Sequence, residues 1–196
     1  MKRALLAILA LIFFSIVWVL AARWPGGSVY LVPLGPLPPA TLDTLAARVQ
    51  AKFDLDVTIL SEVPPERRTR DRQRRQLIAE ELLSLMRREH WWQALNPRAT
   101  LIGITPYDMY ARARPEWRFV FNWQAGRSAV ISMKRLDPAN LGQPADAGLF
   151  QERLRKVVIR DIGFNLFLRK PSHNPRSVLF IPLMGVDDID KLSEDF

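Results

Sequence analysis

Between Ala4 and Ala22 the chain carries no charged residue. In a helix those 19 residues rise about 1.5 Å each, roughly 28 Å in all, close to the hydrocarbon thickness of a bilayer. Such a run stands apart from a water-facing fold. Lys2 and Arg3 precede it, and flanking cations stay on the cytoplasmic side, so the remainder is expected across the membrane. A cleavable signal peptide is the competing reading, with Val19 to Ala21 as a small-residue cleavage site, although such apolar regions usually run about 7–15 residues. No cysteine follows the segment, which excludes a lipoprotein anchor. The expected division is a membrane anchor or signal segment over 1–24, a linker over 25–27, and one domain over 28–196. That domain is placed outside the cytoplasm, periplasmic in a Gram-negative cell, and secreted if the segment is cleaved.

About 170 residues suffice for one domain with a core of its own. The chain has no cysteine, so neither a disulfide nor thiolate chemistry is available to it. Its net charge is +8, concentrated in "ERRTRDRQRRQ", where Arg67, Arg68, Arg70, Arg72, Arg74 and Arg75 cluster. Anionic headgroups or nucleic acid are the functional reading of such a run. Glu66 and Asp71 interrupt it and it leads into the amphipathic "LIAEELLSLMRREHWW", so a solvated loop and first helical turn is the preferred reading, with no nucleic-acid partner.

Apolar spacing orders the rest. "SVYLVPLG" (Ser28 to Gly35) reads as a buried strand, and "PPATLDTLAARVQAKF" as a helix with prolines at its start and Leu42, Leu45, Val49 and Phe53 on one face. "DVTILSEV" (Asp56 to Val63) is strand-like, and a helix is expected from Asp71 to Trp92. A buried strand follows through Ile104, then strands at Trp117 to Gln124 and across "SAVISMKRL". A helix is expected from Leu149 to Leu168, then a turn at Met184-Gly185 and a last acidic helix. This order describes an α/β (α+β) domain, a mixed twisted sheet with packed helices.

Taken together, these segments resemble the archaemetzincins, a branch of the metzincin-type zinc metallopeptidases. "VYLVPLG" is similar to that family's opening strand and "RQRRQLIAEELL" to its second helix. "LIGITPYDMY" resembles its strand and aspartate-containing turn, and "FVFNWQ" with "AVISMKRLDP" its paired strands. The family's next helix carries His-Glu-x-x-His-x-x-Gly-x-x-His, in which histidines four apart face one Zn²⁺ and the glutamate activates the metal-bound water. A methionine turn lies beneath the metal.

Laid on that motif, "RDIGFNLFLRK" puts Arg160 at the first histidine, Asp161 at the glutamate, Phe164 at the second histidine, Phe167 at the glycine and Lys170 at the third histidine. Met184 matches the methionine turn. Cations at 160 and 170 repel Zn²⁺, and a phenyl ring has no donor atom. His90, at a helix end beside Trp91 and Trp92, and His173, in a turn, do not complete a three-ligand site. Asp161 is read as pairing with Arg160, Lys156 or another nearby cation. The expectation is therefore a membrane-anchored, non-enzymatic, metal-free and cofactor-free domain of metzincin-like fold. It would bind a peptide or partner protein in a groove beside Ala129, Ile131, Ser132 and Met133. An active zinc metallopeptidase with an atypical site, and a purely structural cell-envelope protein, are the alternatives.

Overall fold

The computed structural model describes residues 27–196. The anchor expected over 1–24 lies outside the described residues. Among the described residues, no helix is long and apolar enough to cross a membrane.

The strand β1 (Ser28–Pro33) leads into α1 (Pro39–Phe53) and β2 (Asp56–Ile59). A hairpin of β3 (Arg70–Asp71) and β4 (Gln76–Ile78) precedes α2 (Ala79–Glu89) and the single turn α3 (Trp91–Ala94). Then come β5 (Ala99–Thr105), the short β6 (Met109–Tyr110), β7 (Asn122–Ala125) and β8 (Ser128–Ser132). The long α4 (Ala147–Asn165) and the short α5 (Val186–Lys191) complete the domain. Five strands form the main sheet in the order β2-β1-β5-β8-β7, all parallel except β7, which runs antiparallel to β8. β3, β4 and β6 form a separate small sheet.

Both faces of the main sheet are covered, which is why its central strands read as continuous apolar runs. Side chains alternate across the pleat. Val29 and Leu31 of β1, Ile102 and Ile104 of β5 and Ile131 of β8 point to one face. There they meet Leu42, Leu45 and Val49 of α1 and Leu154, Val157, Val158 and Ile162 of α4. Val32, Leu101 and Val130 point to the other, against Leu82, Leu85 and Met86 of α2. Gly103 of β5 sits where a Cβ would lie 2.5 Å from Leu34 Cδ1 and 2.7 Å from Met86 Sδ. That close approach lets α2 lie tightly on the sheet.

The expected helix over Asp71 to Trp92 is corrected: its first third is the β3–β4 hairpin. Asp71 Oδ1 accepts hydrogen bonds from the Gln73 and Arg74 amides at 2.9 and 3.0 Å, closing an Asx turn. Arg75 adopts a left-handed φ of 54° and β4 pairs with β6, so helical spacing starts only at Ala79. The strand expected over Trp117 to Gln124 is regular only from Asn122, with one bridge at Val120 to Met109. Asp146 caps α4, accepting from the Leu149 amide at 2.9 Å.

Candidate functional site

Among the described residues, β7 ends the main sheet and pairs only with β8, which leaves its other edge open. The segment from Trp117 leads into that edge. Together with Leu183 and Met184 of the loop before α5, residues 117–122 line a cleft of about 230 Å³. Its walls are largely apolar: Trp117 and Met184 are exposed, Phe121 and Val120 buried. The polar residues among them are Arg118, which is exposed, and Asn122, at the start of β7.

Behind Asn122 stands α4. Asn122 Nδ2 donates to Asp161 Oδ1 at 2.7 Å, and Asp161 is wholly buried. Burial pushes the Asp161 carboxyl up to about 7, while the Asn122 amide and the Arg160 guanidinium pull the other way. Asp161 Oδ2 and Asn122 Oδ1 are both buried without a hydrogen-bond partner. The expected pairing of Asp161 with Arg160 or Lys156 is therefore corrected. Lys156 bonds Glu152 at 2.6 Å instead. Arg160 turns to the chain beneath α4, donating through Nη1 to the Val178 and Phe180 carbonyls at 2.9 and 2.7 Å. Its guanidinium lies 4.8 Å from the Phe164 ring centroid. Asp161 reaches the cleft only through Asn122, a partner 39 residues away.

Phe167 does not fill the space near Asp161. It packs with Phe53 and Phe196, ring centroids 5.6 Å from each, past the end of α4. The chain turns there with Leu168 at a left-handed φ of 52°, one residue beyond the position where the resemblance places a glycine. Lys170 is exposed. Met184 is 67% exposed on the rim of the cleft. His90 is buried at the end of α2 with Nε2 3.2 Å from the Ser61 carbonyl, and His173 is exposed in a loop.

The groove expected beside Ala129, Ile131, Ser132 and Met133 is also corrected. β8 lies between β5 and β7, and Ala129, Ile131 and Ser132 are fully buried. Met133 packs against the core just after the strand. The open edge belongs to β7. "SAVIS" is as apolar as an interior strand requires, whereas the free edge carries the mixed "NWQA".

Zinc held on α4 requires nitrogen, oxygen or sulfur donors, generally three from the protein. Arg160 is a cation committed to two carbonyls, Phe164 has no donor, and the Asp161 carboxyl is sealed behind Asn122. Among the described residues, no three or more His, Cys, Asp or Glu side chains converge where they could hold a metal ion. These residues do not fit a zinc ion on α4.

No family model matches the chain. It is 27% identical over 170 residues to an archaemetzincin of Halobacterium salinarum, which covers 85% of this chain and 93% of that protein. An archaemetzincin of Pyrococcus furiosus is 28% identical over 161 residues, 77% of this chain and 79% of that one. Among solved structures, the archaemetzincin of Archaeoglobus fulgidus, complexed with malonate, superposes with a TM-score of 0.68 at 26% identity, over 86% and 94% of the two chains. A protein of Methanocorpusculum labreanum described as a zinc-dependent peptidase superposes with a TM-score of 0.70 at 21% identity, over 86% and 95%, and shows the fold alone. These findings overturn the expectation of a non-enzymatic, metal-free protein. Likeness over most of the chain points to the zinc metallopeptidase class, whereas that expectation rested on a few positions of one helix.

Proposed function

We infer that this chain, a homologue of the archaemetzincins over most of its length, acts on peptides as a peptidase with an atypical site. The relatives support the class. The observation that carries the substrate is the outer edge of β7, whose first residue, Asn122, also lines the cleft of residues 117–122, Leu183 and Met184. An extended peptide adds to such an edge through main-chain hydrogen bonds, its side chains alternating toward and away from the apolar wall. Trp117 and Met184 supply contact area at the rim. Asn122 meets the peptide at the start of β7, its amide held in one orientation by Asp161. Asp161 keeps its carboxyl proton behind that amide, shielded from bulk water. The residues of α4 do not fit zinc, so no step is assigned to a metal there.

Mass spectrometry of a mixture of decapeptides incubated with the purified full chain, with and without added zinc, tests this reading. Cleavage is expected, and Asn122→Ala should slow it about tenfold or more, as loss of a positioned polar group in a site does. Intact peptides under both conditions would sink the reading.

We further propose that residues 1–24 hold the domain at the outer face of the cytoplasmic membrane. The charge-free run from Ala4 to Ala22 behind Lys2 and Arg3 supports this. Alkaline phosphatase fused after Phe196 should be active in bacteria and become inactive when 1–24 is deleted. Equal activity with and without that segment would reject it.

A further inference from the structure

A second and larger cavity, of about 640 Å³, shares Trp117, Arg118 and Phe119 with the cleft. Five cations line it: Arg74, Arg75, Arg118, Lys134 and Arg135, against two acids, Asp108 and Glu116. One of those acids is already engaged. Arg135 grips Asp108 with two hydrogen bonds, Nε to Oδ1 at 3.1 Å and Nη2 to Oδ2 at 2.6 Å, and Gln76 Nε2 donates to Oδ2 at 3.0 Å. Arg135 is also stacked on Phe119, 4.4 Å from its centroid, which fixes the guanidinium as a wall.

Among the described residues, none of the other four cations forms a salt bridge, although the Arg74 charge helps to hold the Asp71 carboxyl below its ordinary range. Arg74 donates to the Pro115 carbonyl at 3.2 Å and the Trp117 carbonyl at 3.5 Å, and its guanidinium lies 4.3 Å from the Tyr110 centroid. Lys134 Nζ donates to the neutral Asn140 at 2.7 Å. Arg75 and Arg118 are exposed, and among the described residues neither side chain forms a hydrogen bond or ion pair. Arg75 stands in the left-handed region, a conformation that is costly for a residue with a side chain and that the hairpin imposes. The arginine run is exposed, as a solvated loop would be, but it occupies a 3-10 turn and the β3–β4 hairpin and not the first turn of a helix. Its last two members are delivered by the β3–β4 turn to a cavity that shares Trp117, Arg118 and Phe119 with the peptide cleft.

We propose that this cationic cavity selects peptides with acidic side chains flanking the apolar residues held in the cleft. The inference rests on the peptide reading of the cleft given above. Several like charges with few counter-charges in a concave surface raise the local potential, and a carboxylate-bearing peptide relieves it. Arginine forks match carboxylates in bidentate geometry, so acidic side chains are better partners than amides of the same shape.

Fluorescence anisotropy with the purified full chain tests the proposal. One labelled, C-terminally amidated peptide carries Leu and Phe followed by three Glu, and its twin carries three Gln. The acidic peptide is expected to bind about tenfold more tightly at low salt, with the difference lost near 0.5 M salt. The double variant Arg75→Gln, Arg118→Gln should bind both peptides alike. Neither side chain bonds another among the described residues, and an unchanged thermal unfolding curve checks that the variant is intact. Equal binding of the two peptides to the unaltered chain overturns the selectivity and leaves the cleft reading standing. Binding of neither overturns both. Displacement of the acidic peptide by equimolar single-stranded oligodeoxynucleotide or by vesicles of anionic phospholipid assigns the cavity to another anion and also overturns the proposal.

Discussion

Asp161→Asn is expected to change stability by about 4 kcal/mol more at pH 8 than at pH 4, in favour of the variant. The Asp161 carboxyl is fully buried and titrates at about 7 in the folded chain, against an ordinary 3.8. A raised pKa means that the folded state holds this proton more tightly than the unfolded state does. Between about pH 4 and pH 7 the folded chain carries the proton and the unfolded chain has lost it. The contribution to stability is complete below the unfolded pKa and falls by about 1.4 kcal/mol per pH unit until it is gone above the folded pKa. Asparagine cannot ionise, so its stability curve lacks this slope, while titrations elsewhere are shared and cancel in the difference. Urea unfolding of both proteins at half-unit steps from pH 4 to pH 8 measures it. Parallel curves would show that Asp161 titrates normally.

The surrounding atoms explain why the proton should stay. Asn122 Nδ2 already donates to Asp161 Oδ1, leaving Asn122 Oδ1 and Asp161 Oδ2 buried without partners. An ionised carboxylate offers only acceptors, so neither oxygen could serve the other. A proton removes the charge from this buried carboxyl and turns Oδ2 into a donor. Arg160, the nearest cation in sequence, is drawn away to the Val178 and Phe180 carbonyls. It lowers the Asp161 pKa less than burial raises it.

Neither the Asn122–Asp161 pair nor the carbonyl partners of Arg160 could be read from spacing. Helical periodicity shows that 160, 161 and 164 share a turn, but what faces them comes from β7 and from the chain after residue 177. β1, α1, β5 and α4 were legible because their signals are local: both-face burial gives unbroken apolar strands, and one-face burial gives three- and four-residue steps. The β3–β4 hairpin was not, because polar arginines fit a helix turn as well as a strand until β6 supplies a pairing partner. "SAVIS" was misplaced as a groove wall for a similar reason: an apolar run does not tell whether its neighbour lies on one side or both. The class of protein, by contrast, was carried by the order of segments over most of the chain, which the likeness to archaemetzincins bears out. Reading enzymatic loss from five substituted positions gave too much weight to one helix and the turn that follows it.

Asp190→Ala is expected to destabilise the domain by about 3 kcal/mol, although Asp190 is itself near the surface. Its partner decides the effect. Arg153 on α4 is 2% exposed, and its guanidinium is satisfied by Asp190 through Nε and Nη2, both at 2.7 Å, and by the Leu136 carbonyl at 3.1 Å. Removing the carboxylate leaves a buried cation with one neutral acceptor. It also frees α5, whose Ile189 is inserted into the core shared by α1 and α4. The exposed pair Lys191–Asp188, 3.4 Å apart on the same helix, is the control: Lys191→Ala should change stability by less than about 0.5 kcal/mol. Replacing Arg153 by Met together with Asp190→Ala should recover most of the loss, because no charge then remains to be desolvated. Denaturant unfolding of the two single variants and the double variant closes the cycle. If Asp190→Ala proves as mild as Lys191→Ala, Arg153 finds solvent or another partner, and burial of its charge does not hold α5 against α4.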